Sequence, residues 1–267
     1  MPQRAARRLF ATIIATIIAT GLIGAPGLQA RDPPVIAAAS DLQFALAEAA
    51  EAYRRMTGDA VKVTFGSSGN FYRQIRQGAP FDIYMSADES FVLDLARDGL
   101  TLGKGALYAV GRIVIIAPDG SPLEADGELN GLRAALAGGR IEKFAIPNPE
   151  HAPYGGRAEE ALRHAGLWDA LAAKLVIGEN VSQAAQFATS GSTQGGIIAY
   201  SLALSPNLSA RGSFALIPES WHKPLRQRMV LLRPAGDNAR AFYEFMLGRR
   251  GRAILGRHGF TAPGEAS

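Results

Sequence analysis

From residue 35 onward, short apolar runs alternate with amphipathic stretches. Residues 35–38, 61–65, 82–85 and 113–117 read as strands, and the last is apolar and β-branched enough for a central strand. Between them, 41–56 carries Leu42, Ala45, Leu46, Ala49 and Tyr53 on one stripe at helical spacing. Helices are also predicted at 70–77 and at 89–98, the second stopped by Gly99. After Pro118 the texture turns to Asp, Gly, Ser and Pro, and the first crossing between domains is placed there. The alternation then repeats. Helices are predicted at 130–137 (Asn130 as N-cap), 156–165 and 181–189, with strands at 143–146, 175–177 and 195–200. An apolar strand at 229–232 leads back, and helices at 239–247 and 251–257 close the chain. Strands alternating with helices predict an α/β fold with mainly parallel sheets in two lobes. Lobe 1 is expected from 31–117 and 229–267, and lobe 2 from 118–228.

The first 30 residues stand apart. Arg4, Arg7 and Arg8 precede an uncharged apolar run over 9–23, and Ala30 offers a small residue before Arg31. That is the pattern of a secretory signal cut after Ala30, and Arg7-Arg8-Leu9-Phe10 hints at twin-arginine export. Three of the net four positive charges belong to this segment, so the remainder carries only +1. No concentrated basic patch points to nucleic acid; Arg249, Arg250, Arg252 and Arg257 read as a solvated helix face. The chain contains no cysteine, which excludes disulfides and a lipid-modified N-terminal Cys. About 235 residues suffice for a core without such staples. The expected location is the periplasm.

Four predicted strand-to-helix junctions carry the candidate chemistry: Ala39-Ser40-Asp41, Gly66-Ser67-Ser68-Gly69, Ala152-Pro153-Tyr154-Gly155-Gly156 and Asn180-Val181-Ser182. A helix N-terminus presents unpaired N–H donors and about half a positive charge. Gathered round one cleft, such ends hold an anion without lysine or arginine. Each junction also has a plain structural reading. Ser40 and Gln43 fit a capping box. Gly66 to Asn70 resembles a nucleophile elbow with Asn in place of the final Gly, which leaves an exported hydrolase using Ser68 as a rival. Tyr200 ends an apolar strand and reads equally as core. His151, His164, His222 and His258 make no metal-ligand spacing and read as isolated turn or surface residues.

Together these pieces resemble the periplasmic molybdate-binding proteins of bacterial ABC transporters. The stretches that carry the resemblance are Ala37-Ala38-Ala39-Ser40, Gly78-Ala79-Pro80-Phe81-Asp82-Ile83-Tyr84-Met85-Ser86-Ala87-Asp88, Pro149-Glu150-His151-Ala152-Pro153-Tyr154-Gly155 and Ala253-Ile254-Leu255-Gly256-Arg257-His258-Gly259-Phe260. The resemblance implies a two-lobed periplasmic-binding-protein fold of type II, with the ligand in the inter-lobe cleft and no catalysis. It implies Ser40 and Ser68 as donors from the first lobe, the amides of Tyr154 and Val181 from the second, and the phenol of Tyr200. It also implies molybdate or tungstate as ligand, a membrane permease as partner, a monomer, and no cofactor. A fully deprotonated dianion accepts hydrogen bonds and donates none, so a pocket of neutral donors suits it.

The sequence departs from the family pattern at two points. Asp41 stands where relatives often have a neutral residue, and it is expected to point outward from the first helical turn. A carboxylate buried between the lobes would count against capture of a dianion. Tyr154 is bulkier than the small residue of some relatives, so its phenol either adds a donor or narrows the pocket. Sulfate, phosphate or an organic anion remains the alternative ligand, and an inward Arg73 or Arg157 would favour the last two. A sensory binding module is a further alternative.

Overall fold

Every strand lies in one of two five-stranded sheets among the described residues, 32–264 of a computed structural model. The expected signal segment lies outside those residues. The chain runs through β1 (Val35–Ala39), α1 (Gln43–Thr57), β2 (Lys62–Gly66), α2 (Ser68–Arg76), β3 (Ile83–Ser86), α3 (Glu89–Arg97) and β4 (Ala106–Gly111). It continues with β5 (Ile113–Pro118), α4 (Asn130–Ala137), β6 (Phe144–Pro147), α5 (Pro153–His164), α6 (Trp168–Leu171), β7 (Leu175–Gly178) and α7 (Val181–Thr189). Then come β8 (Gly196–Ala199), α8 (Tyr200–Ala203), α9 (Pro206–Ser209), β9 (Gly212–Leu216), β10 (Leu225–Leu231), α10 (Asp237–Leu247) and α11 (Arg249–Arg257).

The first sheet has the order β2-β1-β3-β10-β4 and the second β7-β6-β8-β5-β9. In each sheet one strand runs against the other four: β10 in the first and β5 in the second. These are the strands that follow the chain's two passages between sheets. The rest of each sheet is built from βαβ crossovers, which run strands parallel and cover both faces with helices. Burial follows the strand period. Ile36 and Ala38 join the core under α1 and α10, whereas Ala37 joins Phe71, Tyr84 and Val92 under α2 and α3.

The passages fall elsewhere than Pro118 and Met229. Ile113–Pro118 pairs with β8 and β9, so it belongs to the second sheet, and the first passage is at Arg112. The return is complete by Leu225, where β10 pairs with β4. The reason is that β4 and β5 form nearly one continuous apolar run, and apolarity alone does not say which sheet a strand joins. The polar change after Pro118 marks a surface loop. Asn130 is also not the cap expected of it. It is the first residue of α4, and the Asp126 carboxylate accepts from its amide at 3.0 Å and from that of Gly131 at 2.6 Å.

Candidate functional site

All four junctions lie at the carboxyl ends of parallel strands, the edge where open α/β sheets gather ligands. After β1 the chain makes a tight 3-10 turn, Ser40–Leu42, before α1 begins. After β2, Ser67 is the extended N-cap of α2 and Ser68 is its first residue. At α5, Pro153 has no N–H, so Tyr154 supplies the first amide of that helix. At α7, the Asn180 side chain accepts from the amides of Ser182 at 3.0 Å and Gln183 at 3.1 Å. The cap therefore serves the second and third helical amides and leaves that of Val181, the first, without an intrahelical partner.

Direct contacts join these ends across the gap. The Ser40 hydroxyl donates to Asn180 Oδ1 at 3.1 Å, and the Ser182 hydroxyl donates to the Ser40 carbonyl at 2.9 Å. The Gly69 amide donates to the His151 carbonyl at 2.8 Å, and Asn70 bonds Glu179. Since β1 and β2 are neighbours, with Ala39 opposite Gly66, the two first-lobe turns lie side by side. The turns at Ser40, Ser68, Tyr154 and Val181 thus converge. Gly69 makes the approach possible, because a Cβ there would lie 2.7 Å from the His151 oxygen and 3.0 Å from its Cα.

Tyr200 is placed differently. Its amide donates to the Arg112 carbonyl at 3.0 Å, its ring packs on Phe214 with centroids 6.1 Å apart, and its edge lies against Gly259. Its phenol makes no hydrogen bond to the other four positions among the described residues. The neighbouring Ser201 is the residue of α8 that reaches them, donating to the Asp41 carbonyl at 2.8 Å.

Asp41 points inward, not outward. It is 1% exposed. The 3-10 turn is enclosed by Ser182 of α7 and Ser201 of α8, so its middle residue has no solvent side. Its Oδ2 accepts from the Tyr154 phenol at 2.9 Å and from Gln227 Nε2 at 2.6 Å. The Gln227 amide also donates to the Tyr154 oxygen at 3.2 Å, and its carbonyl oxygen accepts from Tyr108 at 2.8 Å. Gln227 is fully buried at an irregularity in the β10–β4 ladder, a device that re-aims a side chain. Gly111 lies against the Tyr154 oxygen, with no room for a Cβ. Burial pushes the Asp41 carboxyl up to about 6, against the opposing pull of the Gln227 and Tyr154 hydrogen bonds and, more weakly, of the Asp41 and Leu42 amides. Burial first, and then the Asp41 charge, hold the Tyr154 phenol well above its usual range. Asp41 Oδ1 has no hydrogen-bond partner.

The other expectations sort by contact. Ser40 does not cap its helix: Ala39 is the N-cap, and the Ser40 hydroxyl spans the lobes. Ser68 is fully buried; its hydroxyl accepts from the Ala87 amide at 3.0 Å, and its carbonyl accepts from Tyr84 at 2.7 Å. Oγ therefore keeps its own proton to donate. His151 is not an isolated surface residue, since Nδ1 lies 2.9 Å from the Ser67 hydroxyl and Nε2 lies 3.5 Å from Glu179. Arg157 turns inward but is neutralised by Asp88 at 3.0 Å and Glu160 at 2.7 Å. Arg73 is bonded to Asn70 on the surface. Among the described residues, no group of His, Cys, Asp and Glu is arranged to hold a metal ion.

A two-lobed α/β frame with helix N-termini meeting between the lobes defines a solute-binding protein. The chain belongs to the bacterial extracellular solute-binding proteins, whose family model matches residues 34–261. Its relatives include the molybdate-binding protein ModA of Rhodobacter capsulatus, 32% identical over 94% of this chain and 97% of that one. The ModA protein of Escherichia coli is 31% identical over 84% and 87% of the two chains. Among solved structures, the periplasmic molybdate-binding protein of Azotobacter vinelandii superposes with a TM-score of 0.77 at 30% identity, covering 86% of this chain and 99% of that one. The family binds solutes and is not enzymatic, so the Ser68 hydrolase reading is set aside.

Proposed function

We propose that this protein captures molybdate, and tungstate with it, between its lobes and delivers the ion to the membrane permease of an ABC importer. The observation that carries the reading is the convergence of uncharged helix N-termini from both lobes at Ser40, Ser68, Tyr154 and Val181. Neutral donors avoid burying a cation before the ligand arrives. Hydrogen bonds to a charged acceptor contribute about 1.5–3 kcal/mol each. Several of them support micromolar or tighter binding after ordering losses. Pairing of Arg157 with two carboxylates leaves it no free charge for the ligand. The relatives' shared cargo and the periplasmic location of the Azotobacter protein support the reading. In it the chain acts as a periplasmic monomer after loss of residues 1–30. The role requires no cofactor. The phenol of Tyr154 serves lobe closure through Asp41, and its amide serves the ligand.

A hydrogen-bearing oxyanion such as phosphate is the competing guest, favoured by the unpartnered Asp41 Oδ1. Calorimetric titration of the purified protein with molybdate, tungstate, sulfate and phosphate decides between them. Saturable one-to-one binding of the first two, with the others at least about tenfold weaker, is expected. Equal or tighter binding of sulfate or phosphate would overturn the assignment.

A further inference from the structure

Capture of a dianion leaves Asp41 unexplained. The carboxylate is buried, it adjoins Ser40, and it sits where the lobes meet. Two side-chain donors satisfy Oδ2 and the amides of Asp41 and Leu42 pull more weakly on the carboxylate, while Oδ1 makes no hydrogen bond of its own. A charged oxygen without a donor in a dry interior is unfavourable, and a doubly negative guest at the neighbouring amides repels it further. One proton on Oδ1 removes both penalties without disturbing the bonds to Tyr154 and Gln227, and it turns an acceptor on the wall into a donor.

We propose that Asp41 takes up a proton from solvent on Oδ1 as the anion is captured, so that the closed protein holds a doubly charged oxyanion together with one added proton. The inference rests on the oxyanion reading above. Without the guest, burial already raises the carboxyl to about 6 against the pull of its hydrogen-bond donors, and the guest's charge raises it further. Proton uptake is therefore required at neutral and mildly alkaline pH, and affinity falls as pH rises.

The groups facing Asp41 leave no other source of the effect. Tyr154 of α5 and Tyr108 of β4 are phenols held above their usual range by burial and by Asp41 itself. Gln227 of β10 does not titrate. The elements packed on the turn bring Gln43 of α1, Ser182 of α7 and Ser201 of α8, all uncharged. Lys62 of β2 pairs with Val35, at the far end of the strand. The next titratable pair, His151 with Glu179, borders the neighbouring turn at Ser67 and Asn70.

The test is calorimetry of the purified protein with sodium molybdate in two buffers of different ionisation enthalpy. At about pH 7.5, close to one proton is expected to be taken up per ion bound, with affinity weakening about tenfold from pH 7 to pH 8. Asp41→Asn should take up about none and hold its affinity across that range. Infrared difference spectra of the unaltered protein should gain a protonated-carboxyl band on adding molybdate, a readout that does not depend on the variant's folding. Molybdate binding with no uptake, a flat pH profile and no new band would overturn the inference while leaving the oxyanion reading intact. Unchanged uptake in a folded Asp41→Asn variant would assign the proton to His151 and overturn it too. Failure of molybdate to bind at any pH would overturn both readings.

Discussion

Two first-lobe turns that look alike in sequence do different work. Ser40 and Ser68 each follow a strand and open a helical turn. The Ser68 hydroxyl is anchored within its own lobe by the Ala87 amide, which leaves its own proton to donate. The Ser40 hydroxyl crosses to Asn180 and Ser182, and its neighbour Asp41 crosses to Tyr154. The Ser68 hydroxyl is a donor fixed within its own lobe, although Gly69 and Asn70 beside it also cross to the other lobe. The Ser40 hydroxyl is itself part of the closing contact. A strand-to-helix junction places an amide reliably, but what its side chains touch depends on the opposite lobe.

The largest expected effect tests the charge on the crossing side. The Asp41 carboxyl moves from an ordinary 3.8 to about 6 in the folded protein, which therefore holds the proton more tightly than the unfolded chain. For this group, stability is greatest at low pH and is lost as pH rises through about 6. About two units correspond to about 3 kcal/mol. Asp41→Asn keeps an oxygen for Tyr154 and Gln227, so urea unfolding should show a gain of up to about 3 kcal/mol at pH 8 and little at pH 4. A gain at low pH instead would reverse the assignment of this turn.

On the Ser68 side the matching test is steric. Gly69→Ala should push the His151 backbone away and hold the lobes apart, weakening molybdate binding by about 2 kcal/mol in calorimetry. Unaltered affinity would mean that the two turns do not need this close approach. Ser68→Ala comes next, because it strands the buried Ala87 amide. It should lower stability by about 1–2 kcal/mol as well as affinity, read by thermal unfolding without ligand. Ser40→Ala is expected to be mildest. Ser182 keeps its bond to Asn180, so unfolding without ligand should barely move while affinity drops by about 1 kcal/mol. Equal losses of ligand-free stability in the two serine variants would erase the distinction between fixed donor and closing contact.

The alternation of apolar and polar runs was enough to read the α/β class, the two lobes and the strand-to-helix junctions near Ser40, Ser68, Tyr154 and Val181, because each depends on local spacing; the helices expected from 70 and 156 begin earlier, at Ser68 and Pro153, and the one expected from 41 begins at Gln43 after a 3-10 turn. The passage at Arg112 was not legible, since strands on either side of it are apolar whichever sheet they join. The inward turn of Asp41 depends on α7 and α8 enclosing it, a long-range fact. His151 likewise gained its role from Ser67 in the other lobe. Gln227 did leave a signal. In β10 it occupies the inward phase between Leu225 and Met229, with Arg226 and Arg228 on the other phase. A polar residue on the apolar face of a strand asks for a buried partner, and here the partners are Asp41, Tyr154 and Tyr108.

Crystallography of the protein grown with molybdate tests the convergence most directly. One anomalous peak is expected between the lobes, its oxygens within about 2.7–3.2 Å of the amides at Ser40, Ser68, Tyr154 and Val181. A peak held by one lobe alone, or seated at the surface arginines Arg55, Arg249 and Arg250, would contradict the account.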